Sequence, residues 1–340
     1  MTKKMDTPKV SVFMITYNHE HFIAQAIEGI LMQRTTFPFE LVIGEDCSTD
    51  GTRAIAQKYA DKYPDIIRLL PSDRNLGMQA NAHQTLLACR GEFLAFCEGD
   101  DFWTDPEKLT MQTEFLERNP RCSLCFHNHN LLIHRPNGEQ VEYPFYADAG
   151  FVQNGETHAQ KPPAVQKSSM LMGGGAILLH TCMVRNLFRN GLPPYLMNIL
   201  CVDWGMTIIA SRGGNIRYVD KIMGTYRLHS GGVWSAASRK NRHEALLKTA
   251  YVIRDNIALS FKEQIMLDMF ILNRYCDAVS SQELRDKNVP LWKLMMISRN
   301  VRLHFFAAVG LWSVKCVMPK RITDTCFSWW KHLLRRQALL

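Results

Sequence analysis

Four short stretches of the chain are almost continuously apolar: VSVFMIT at residues 10–16, LVI at 41–43, IIRLL at 66–70 and FLAFC at 93–97. Runs of this kind, rich in β-branched and aromatic residues, predict strands buried on both faces, as in a parallel sheet. Helical patterns lie between them. Phe22, Ile23, Ala26, Ile27, Ile30 and Leu31 make an apolar stripe over 22–31. Ser-Thr-Asp-Gly-Thr at 48–52 opens a second helix running to about Tyr63, residues 79–89 form a third, and Asp105-Pro106-Glu107 reads as the start of a fourth over 106–118. Strand and helix alternate four times, which predicts an α/β domain with right-handed crossovers.

Beyond residue 120 the pattern changes. SLCFHN reads as another buried strand. Cys122 and Cys125 within it form a CxxC followed by His127 and His129, but no second paired cluster stands at zinc-site spacing, so the cysteines are read as small buried hydrophobes. Residues 129–172 are rich in Pro, Gly, Asn and charge and predict a long loop or lid. A strand is expected at AILL, 176–179, a helix near 202–212, two short strands at NIRYVD and IMGTYRL, and helix from about residue 236 to the end. Gly173-Gly174-Gly175 reads as a hinge or as a place of close backbone approach. There is no internal repeat.

Composition adds limits. With 340 residues, 46% of them hydrophobic, the chain can build one large domain or two modest ones. The net charge of +8 suits anionic partners such as phosphorylated substrates or a membrane surface. No recognised nucleic-acid module accompanies it, so nucleic acid is not expected as a partner. The apolar runs are too short for a secretory leader or a spanning helix, and ten scattered cysteines suit a reducing compartment. A cytoplasmic chain, peripheral on the inner face of the cell membrane, is the expectation.

The candidate chemistry sits where strands end. Thr16-Tyr17-Asn18 follows the first strand, Glu45-Asp46 the second, Asp73 to Gly77 the third, and Asp100-Asp101 the fourth. In an open parallel sheet these tips lie along one edge, where ligands bind. Adjacent carboxylates at a buried strand end suit a hard divalent cation, which binds through one or two carboxylates plus substrate phosphates. No GxxxxGK[ST] and no GxGxxG after the first strand is present, so phosphates would be held by the metal and by polar or basic groups, with Arg74, Arg227 and His229 as candidates.

Taken together, VSVFMITYNHEHFIAQAIEGILMQ, ELVIGEDCSTDGT, NLGMQANAHQTLLACRGEFLAFCEGDDFW and GTYRLHSGGVWS resemble the landmarks of glycosyltransferase family 2, over residues 9–235. The resemblance implies a GT-A, Rossmann-like, open and mostly parallel sheet flanked by helices, with a nucleotide-sugar-binding half at 9–128, an acceptor half at 129–235 that includes the long loop, and a helical C-terminal extension at 236–340. It implies an inverting enzyme that moves a sugar from a nucleotide diphosphate sugar, most often a uridine diphosphate sugar, to a glycan or lipid-linked acceptor with Mg²⁺ or Mn²⁺. Carried over, Thr16, Tyr17, Asn18, Glu20, Asp46, Ser48, Asn75, Gly77, Asn81, Asp100 and Arg227 would bind the nucleotide sugar. Asp101, with Asp100 and His229, would hold the metal, Asp100 lying nearer the ribose and diphosphate. Asp203, roughly a hundred residues further on, would be the general base; the family usually has Glu-Asp there, and this chain has Val202-Asp203. Two rivals stand beside this reading. A nucleotidyltransferase would need a Gly-rich basic loop after the first strand, where TYNHEH stands, and a non-catalytic glycan-binding scaffold would have no need of Asp46, Asp100, Asp101 and Asp203.

The last forty residues carry Arg302, Lys315, Lys320, Arg321, Lys331, Arg335 and Arg336 against one acid, Asp324, interleaved with HFFAAVGLW and CFSWWKHLL. Aromatic and basic residues mixed in this way suit a segment lying in a membrane interface. Removal of residues 301–340 is expected to abolish co-sedimentation with anionic liposomes at low salt; undiminished binding of the truncated protein would dismiss the segment as the anchor.

Overall fold

The structure, a computed structural model, describes residues 7–280 apart from 136, 148–150, 154–155, 161, 167 and 174–176. The expected alternation is present: β1 (Val10–Thr16), α1 (Ile23–Leu31), β2 (Phe39–Glu45), α2 (Thr52–Lys62), β3 (Ile67–Pro71), α3 (Met78–Ala88) and β4 (Phe93–Phe96). A two-residue strand β5 (Phe102–Trp103) and helix α4 (Lys108–Arg118) follow. This helix begins two residues later than expected, because Asp105 Oδ1 accepts the Glu107 N–H (2.8 Å) in a tight turn ahead of it. Then come β6 (Cys122–His134), β7 (Gln140–Pro144), β8 (Tyr146–Ala147), β9 (Phe151–Gln153), β10 (Glu156–Gln160), β11 (Val165–Gln166), β12 (Met183–Arg185), α5 (Val202–Ser211), β13 (Asn215–Leu228) and the single-turn α6 (Val233–Ala236).

The main sheet has the order β11-β13-β6-β12-β4-β1-β2-β3, with β5 against β13 and β7 against β6; β8, β10 and β9 form a separate small sheet. Strands β3, β2, β1 and β4 are parallel, whereas β12 runs antiparallel to both β4 and β6. The parallel half matches the expectation, and the sheet as a whole is mixed. Its parallel strands are covered on both faces. Val10, Val12 and Met14 of β1 pack with Ile23, Ala26, Ile27 and Ile30 of α1, while Phe13 faces the other way onto Phe96. Helix α1 lies so close to β5 that a Cβ at Gly29 would stand 2.8 Å from the Trp103 carbonyl oxygen.

Three expectations for the second half change. Residues 129–172 are not one long loop. β6 continues through His134 and pairs with β7, and 146–160 carry the short strands of the small sheet. Along β7 the side chains alternate between exposed and half-buried, so the stretch reads as polar although one face is covered. The strand expected at AILL is instead a 3₁₀ turn at Leu179–Thr181, closed by Thr181 Oγ1 (2.7 Å) and Cys182 Sγ (3.5 Å) donating to the Leu178 carbonyl; the strand comes next, as β12. NIRYVD and IMGTYRL are one strand, β13, whose register against β6 shifts between Val219 and Ile222, absorbing Asp220 and Lys221 as a bulge. Cys122 and Cys125 are buried free thiols in β6. Of the glycine run, Gly174 and Gly175 lie outside the described residues.

The chain divides into two compact units. Among the described residues, the first holds residues 7–171 and 177–238 and the second Met172–Gly173 and Arg239–Ser280. Within the second, α7 (Arg239–Asn256) and α8 (Phe261–Ser280) pack on each other. α8 opens with a capping box, Ser260 Oγ and Glu263 each bonding the other's backbone N–H. Among the described residues no helix is long and apolar enough to cross a membrane. The basic-aromatic segment 301–340 lies outside the described residues.

Glu40 knots the edge of the parallel half. Its buried carboxylate accepts from Ser11 Oγ (2.6 Å), from the Arg90 backbone N–H (2.9 Å) and guanidinium (2.7 Å), and from Arg68 (3.1 Å). Burial alone would push this carboxyl up, but the bonds from Arg90, Ser11 and Arg68 outweigh it and hold the group below its ordinary value. A depressed carboxyl contributes stability above its unfolded-state value and loses it as pH falls through the folded one. Glu40→Ala is therefore expected to lower unfolding stability by about 3 kcal/mol near neutral pH. In denaturant titrations the difference from wild type should shrink as pH drops below the carboxylate range.

Candidate active site

After β1 the chain moves outward through β2 and β3, then returns to place β4 on the other side of β1. Strand order reverses between β1 and β4, and a ligand crevice is expected beyond their C-terminal ends. The residues following these two strands meet there. Gly99 allows the approach: a Cβ on it would stand 2.5 Å from Thr16 Oγ1 and 2.9 Å from His19 Nδ1. The Gly99 N–H bonds the Ile15 carbonyl, continuing the β1–β4 pairing into the turn.

The turn carries three carboxylates, Glu98, Asp100 and Asp101, with one oxygen of each within 4.8 Å of the others. Asp101 is almost closed off, its side chain 2% exposed. Its Oδ1 accepts the backbone N–H of Arg227 on β13 (2.9 Å), and its Oδ2 lies 3.5 Å from His180 Nδ1 on the 3₁₀ turn. Burial, with Asp100 and Glu98 as like charges, pushes the Asp101 carboxyl well above its ordinary value. Burial likewise pushes Glu98 up to about 8, with Asp100 and Asp203 adding to it. Asp100 behaves differently. Burial raises it, but the bond from His229 and the nearby His19 outweigh that and hold it below its ordinary value. His229 Nε2 is 3.1 Å and His19 Nε2 3.7 Å from Asp100 Oδ2.

Arg227 binds the crevice together. Its Nε donates to the Asp100 carbonyl (2.9 Å) and its Nη2 to Gln25 Oε1 (2.8 Å), while the guanidinium lies over Phe22 and Phe102. Asp203 stands in the first turn of α5, near enough to Glu98 to raise it, and burial raises its own carboxyl. The donor set, carboxylate oxygens beside two imidazoles, fits a divalent ion.

The other expected residues divide in two. Thr16, buried at the end of β1, bonds His19 Nδ1 (3.2 Å), and Tyr17 beside it is 41% exposed. Asp46 accepts the N–H groups of Leu76 (2.7 Å) and Gly77 (2.9 Å), with Asn75 Oδ1 also on Gly77 (3.1 Å). Gly77 has φ +85°, a conformation glycine adopts without strain. This clamp sets the loop ahead of α3. By contrast, Asn18, Glu20, Ser48 and Asn81 are bonded to the scaffold. Asn18 Oδ1 takes the Thr49 N–H, Ser48 Oγ the Asn18 N–H, Glu20 the Gly51 N–H, and Asn81 Nδ2 donates to the Gly44 carbonyl. Arg74 uses its carbonyl to accept Ser72 Oγ. The sequence reading assigned nothing to Glu98, His19 or His180. Glu98 was visible as an acid two residues before Asp100, and His19 as part of TYNHEH, whereas His180 had no signal.

The model of the family "Glycosyl transferase family 2" matches residues 11–159, spanning β1 to β10. Residues 11–159 are a glycosyltransferase family 2 domain. It is 33% identical over 238 residues to the uncharacterized protein Rv1520 of Mycobacterium tuberculosis, covering 68% of this chain and 62% of that one. The chain thus spans about three fifths of the curated relatives it matches first. It is 32% identical over 128 residues to the Escherichia coli UDP-Glc:alpha-D-GlcNAc-diphosphoundecaprenol beta-1,3-glucosyltransferase WfgD, covering 38% of this chain and 48% of that protein. Among solved structures, residues 1–349 of S. aureus TarS in complex with UDP-GlcNAc superpose with a TM-score of 0.56 at 19% identity, over 93% of this chain and 83% of that one. At that identity the likeness speaks for the GT-A fold.

The Asp46 clamp gives a local test. Asp46→Ala removes the acceptor for two backbone N–H groups, each bonded to a charged oxygen. Hydrogen exchange at Leu76 and Gly77 is expected to accelerate about tenfold or more, with exchange in β1 and β2 unchanged. Asp46→Asn, which keeps one carbonyl oxygen, should fall between the two.

Proposed function

We propose that this domain transfers a sugar, with inversion, from a nucleotide diphosphate sugar to a hydroxyl of a glycan or lipid-linked acceptor. The observation that carries the reading is the carboxylate cluster at the β1–β4 switch point, with Asp203 near enough to Glu98 to raise it. A metal-bound diphosphate fits on one side of such a crevice and a proton acceptor on the other. A uridine diphosphate sugar is the favoured donor, in keeping with the UDP-sugar named for both WfgD and TarS.

A divalent cation, when bound, supplies positive charge to the departing diphosphate. The chain's own residues do the rest. The clamp of Asp46 on Leu76 and Gly77 sets the loop beside the nucleotide, and Tyr17 offers an exposed ring next to it. Arg227 fixes the backbone of Asp100 and, through its own N–H, the carboxylate of Asp101. Asp203 takes the proton from the acceptor hydroxyl as that oxygen forms its bond to the anomeric carbon. The anomeric carbon–oxygen bond to the diphosphate breaks in the same displacement, and its electron pair leaves with the phosphate. Burial of Asp203 raises its proton affinity, which suits a base that need act only in the transition state. The basic-aromatic segment 301–340 would bring the enzyme to an anionic membrane surface, where a lipid-linked acceptor is found. The acceptor named for WfgD is of that kind, and the product would be a cell-surface glycan or polysaccharide intermediate.

A panel of nucleotide sugars screened by thermal shift, with and without Mn²⁺ or Mg²⁺, tests the donor. At least one uridine diphosphate sugar is expected to raise the melting temperature only when the cation is present. Asp203→Asn should keep that shift and lose sugar release, to acceptor or to water, by about 10²- to 10⁴-fold. A panel with no metal-dependent stabilisation would overturn the transferase reading, and near-normal turnover in Asp203→Asn would move the base elsewhere.

A further inference from the structure

Helix α3 is bonded to two segments that the transferase reading gives different tasks. Its entry loop is set by Asp46, which accepts the N–H groups of Leu76 and Gly77. Further along, it bonds residues 192 and 199, in the segment that leads into α5 and Asp203. Resting on the proposed transferase reading, we infer that Gln79 is a positioning residue for the proton acceptor. It fastens the chain ahead of Asp203 to the helix that carries the nucleotide loop, so that base and donor are held in one frame.

Gln79 lies in the first turn of α3, just past Gly77. Its Nε2 donates to the Ile199 carbonyl at 2.7 Å. The partner is a carbonyl, so the amide must present its nitrogen, and its role there is that of a donor. Ile199 is buried and stands shortly before Asp203 in the chain. One helical turn further on, and on the same face of α3, His83 Nδ1 accepts the Leu192 N–H (3.0 Å). Gly191 completes that contact. It has φ +74°, and a Cβ on it would stand 2.5 Å from the His83 ring. Gln79 and His83 thus hold the two ends of one segment.

The segment depends on such ties. Between the end of β12 and the start of α5 its regular structure is a 3₁₀ turn at Pro194–Leu196, so no ladder of strand or helix bonds sets where Ile199 lies. The same segment carries Leu196, which packs on α5: a Cβ at Gly205 would stand 2.6 Å from Leu196 Cδ2. From another direction Trp204 Nε1 donates to the Leu171 carbonyl (2.7 Å). The first turn of α5 is gripped by its neighbours, and Gln79 supplies the grip that comes from the nucleotide loop.

A single half-buried hydrogen bond adds little to the stability of a domain. Its worth to the rate can be larger, because a misplacement of about 1 Å at a reacting group costs about a hundredfold. The positioning role therefore separates turnover from both stability and donor affinity.

The test uses the full chain, with UDP and Mn²⁺ as the binding probe and sugar release from uridine diphosphate sugars as the rate. Gln79→Met keeps the shape of the side chain and removes the donor. Its turnover should fall about 10- to 100-fold, with the donor KM, the UDP affinity and the melting temperature close to those of wild type. Amide exchange at Met206 and Thr207, which close the first turn of α5, should accelerate, while that at Leu76 and Gly77 stays as it is. Because Gln79 acts through Asp203, adding Gln79→Met to Asp203→Asn should cost no further turnover. Normal turnover in Gln79→Met, a loss of UDP affinity in place of turnover, a fall in melting temperature that accompanies the lost rate, or an undiminished further loss in the double variant would each overturn the inference. Faster exchange in α5 of Gln79→Met, in a protein whose wild type releases sugar from no nucleotide sugar, would leave the tie standing and overturn the transferase reading, and with it the task given to Gln79.

Discussion

Three carboxylates crowd the end of one buried strand, and their mutual repulsion is the constraint to which the surroundings respond. Glu98, Asp100 and Asp101 follow β4 within five residues, where burial and their like charges push two of them well up in proton affinity. Each finds a different answer. Asp101 turns inward and spends its charge on a backbone N–H of β13. Asp100 turns toward the imidazoles of His19 and His229 and is held low by them. Glu98 remains high, raised by burial and by Asp100 and Asp203. The long reach of β13 across the sheet, the glycine at 99 and the placement of α1 all serve to bring partners to this point.

The parallel half of the fold was legible because its strands are buried on both faces. β1, β2 and β4 appear in the sequence as near-continuous apolar runs, and the stripe of α1 is as clear. β7 was not legible, since a half-covered strand dilutes the apolar signal with outward-facing charge. The 3₁₀ turn at Leu179–Thr181 hid behind an apolar run because a hydroxyl and a thiol, both bonding one carbonyl, decided its shape.

In the crevice, the adjacent acids announced themselves by their position at a strand end. His19 and His180 did not, because their relevance depends on which strand lies next to which. β1 and β4 are neighbours only after the crossover, and β12, which carries the turn before it to the site, joins the sheet from far along the chain. Asn18, Glu20, Ser48 and Asn81 show the converse. Polar residues beside a ligand crevice are also what a loop uses to satisfy its own backbone, and composition cannot separate the two uses.

Gly29 carries a consequence of an evolutionary kind. It sits inside a helix, where glycine costs about 1 kcal/mol relative to alanine, yet the Trp103 carbonyl leaves no room for a methyl group. α1 begins a few residues after His19, and β5 begins immediately after Asp101. A side chain at position 29 would push apart the two segments that bring the imidazole and the acids together. A replacement of Gly29 could thus become fixed only alongside a compensating retreat of the β5 backbone.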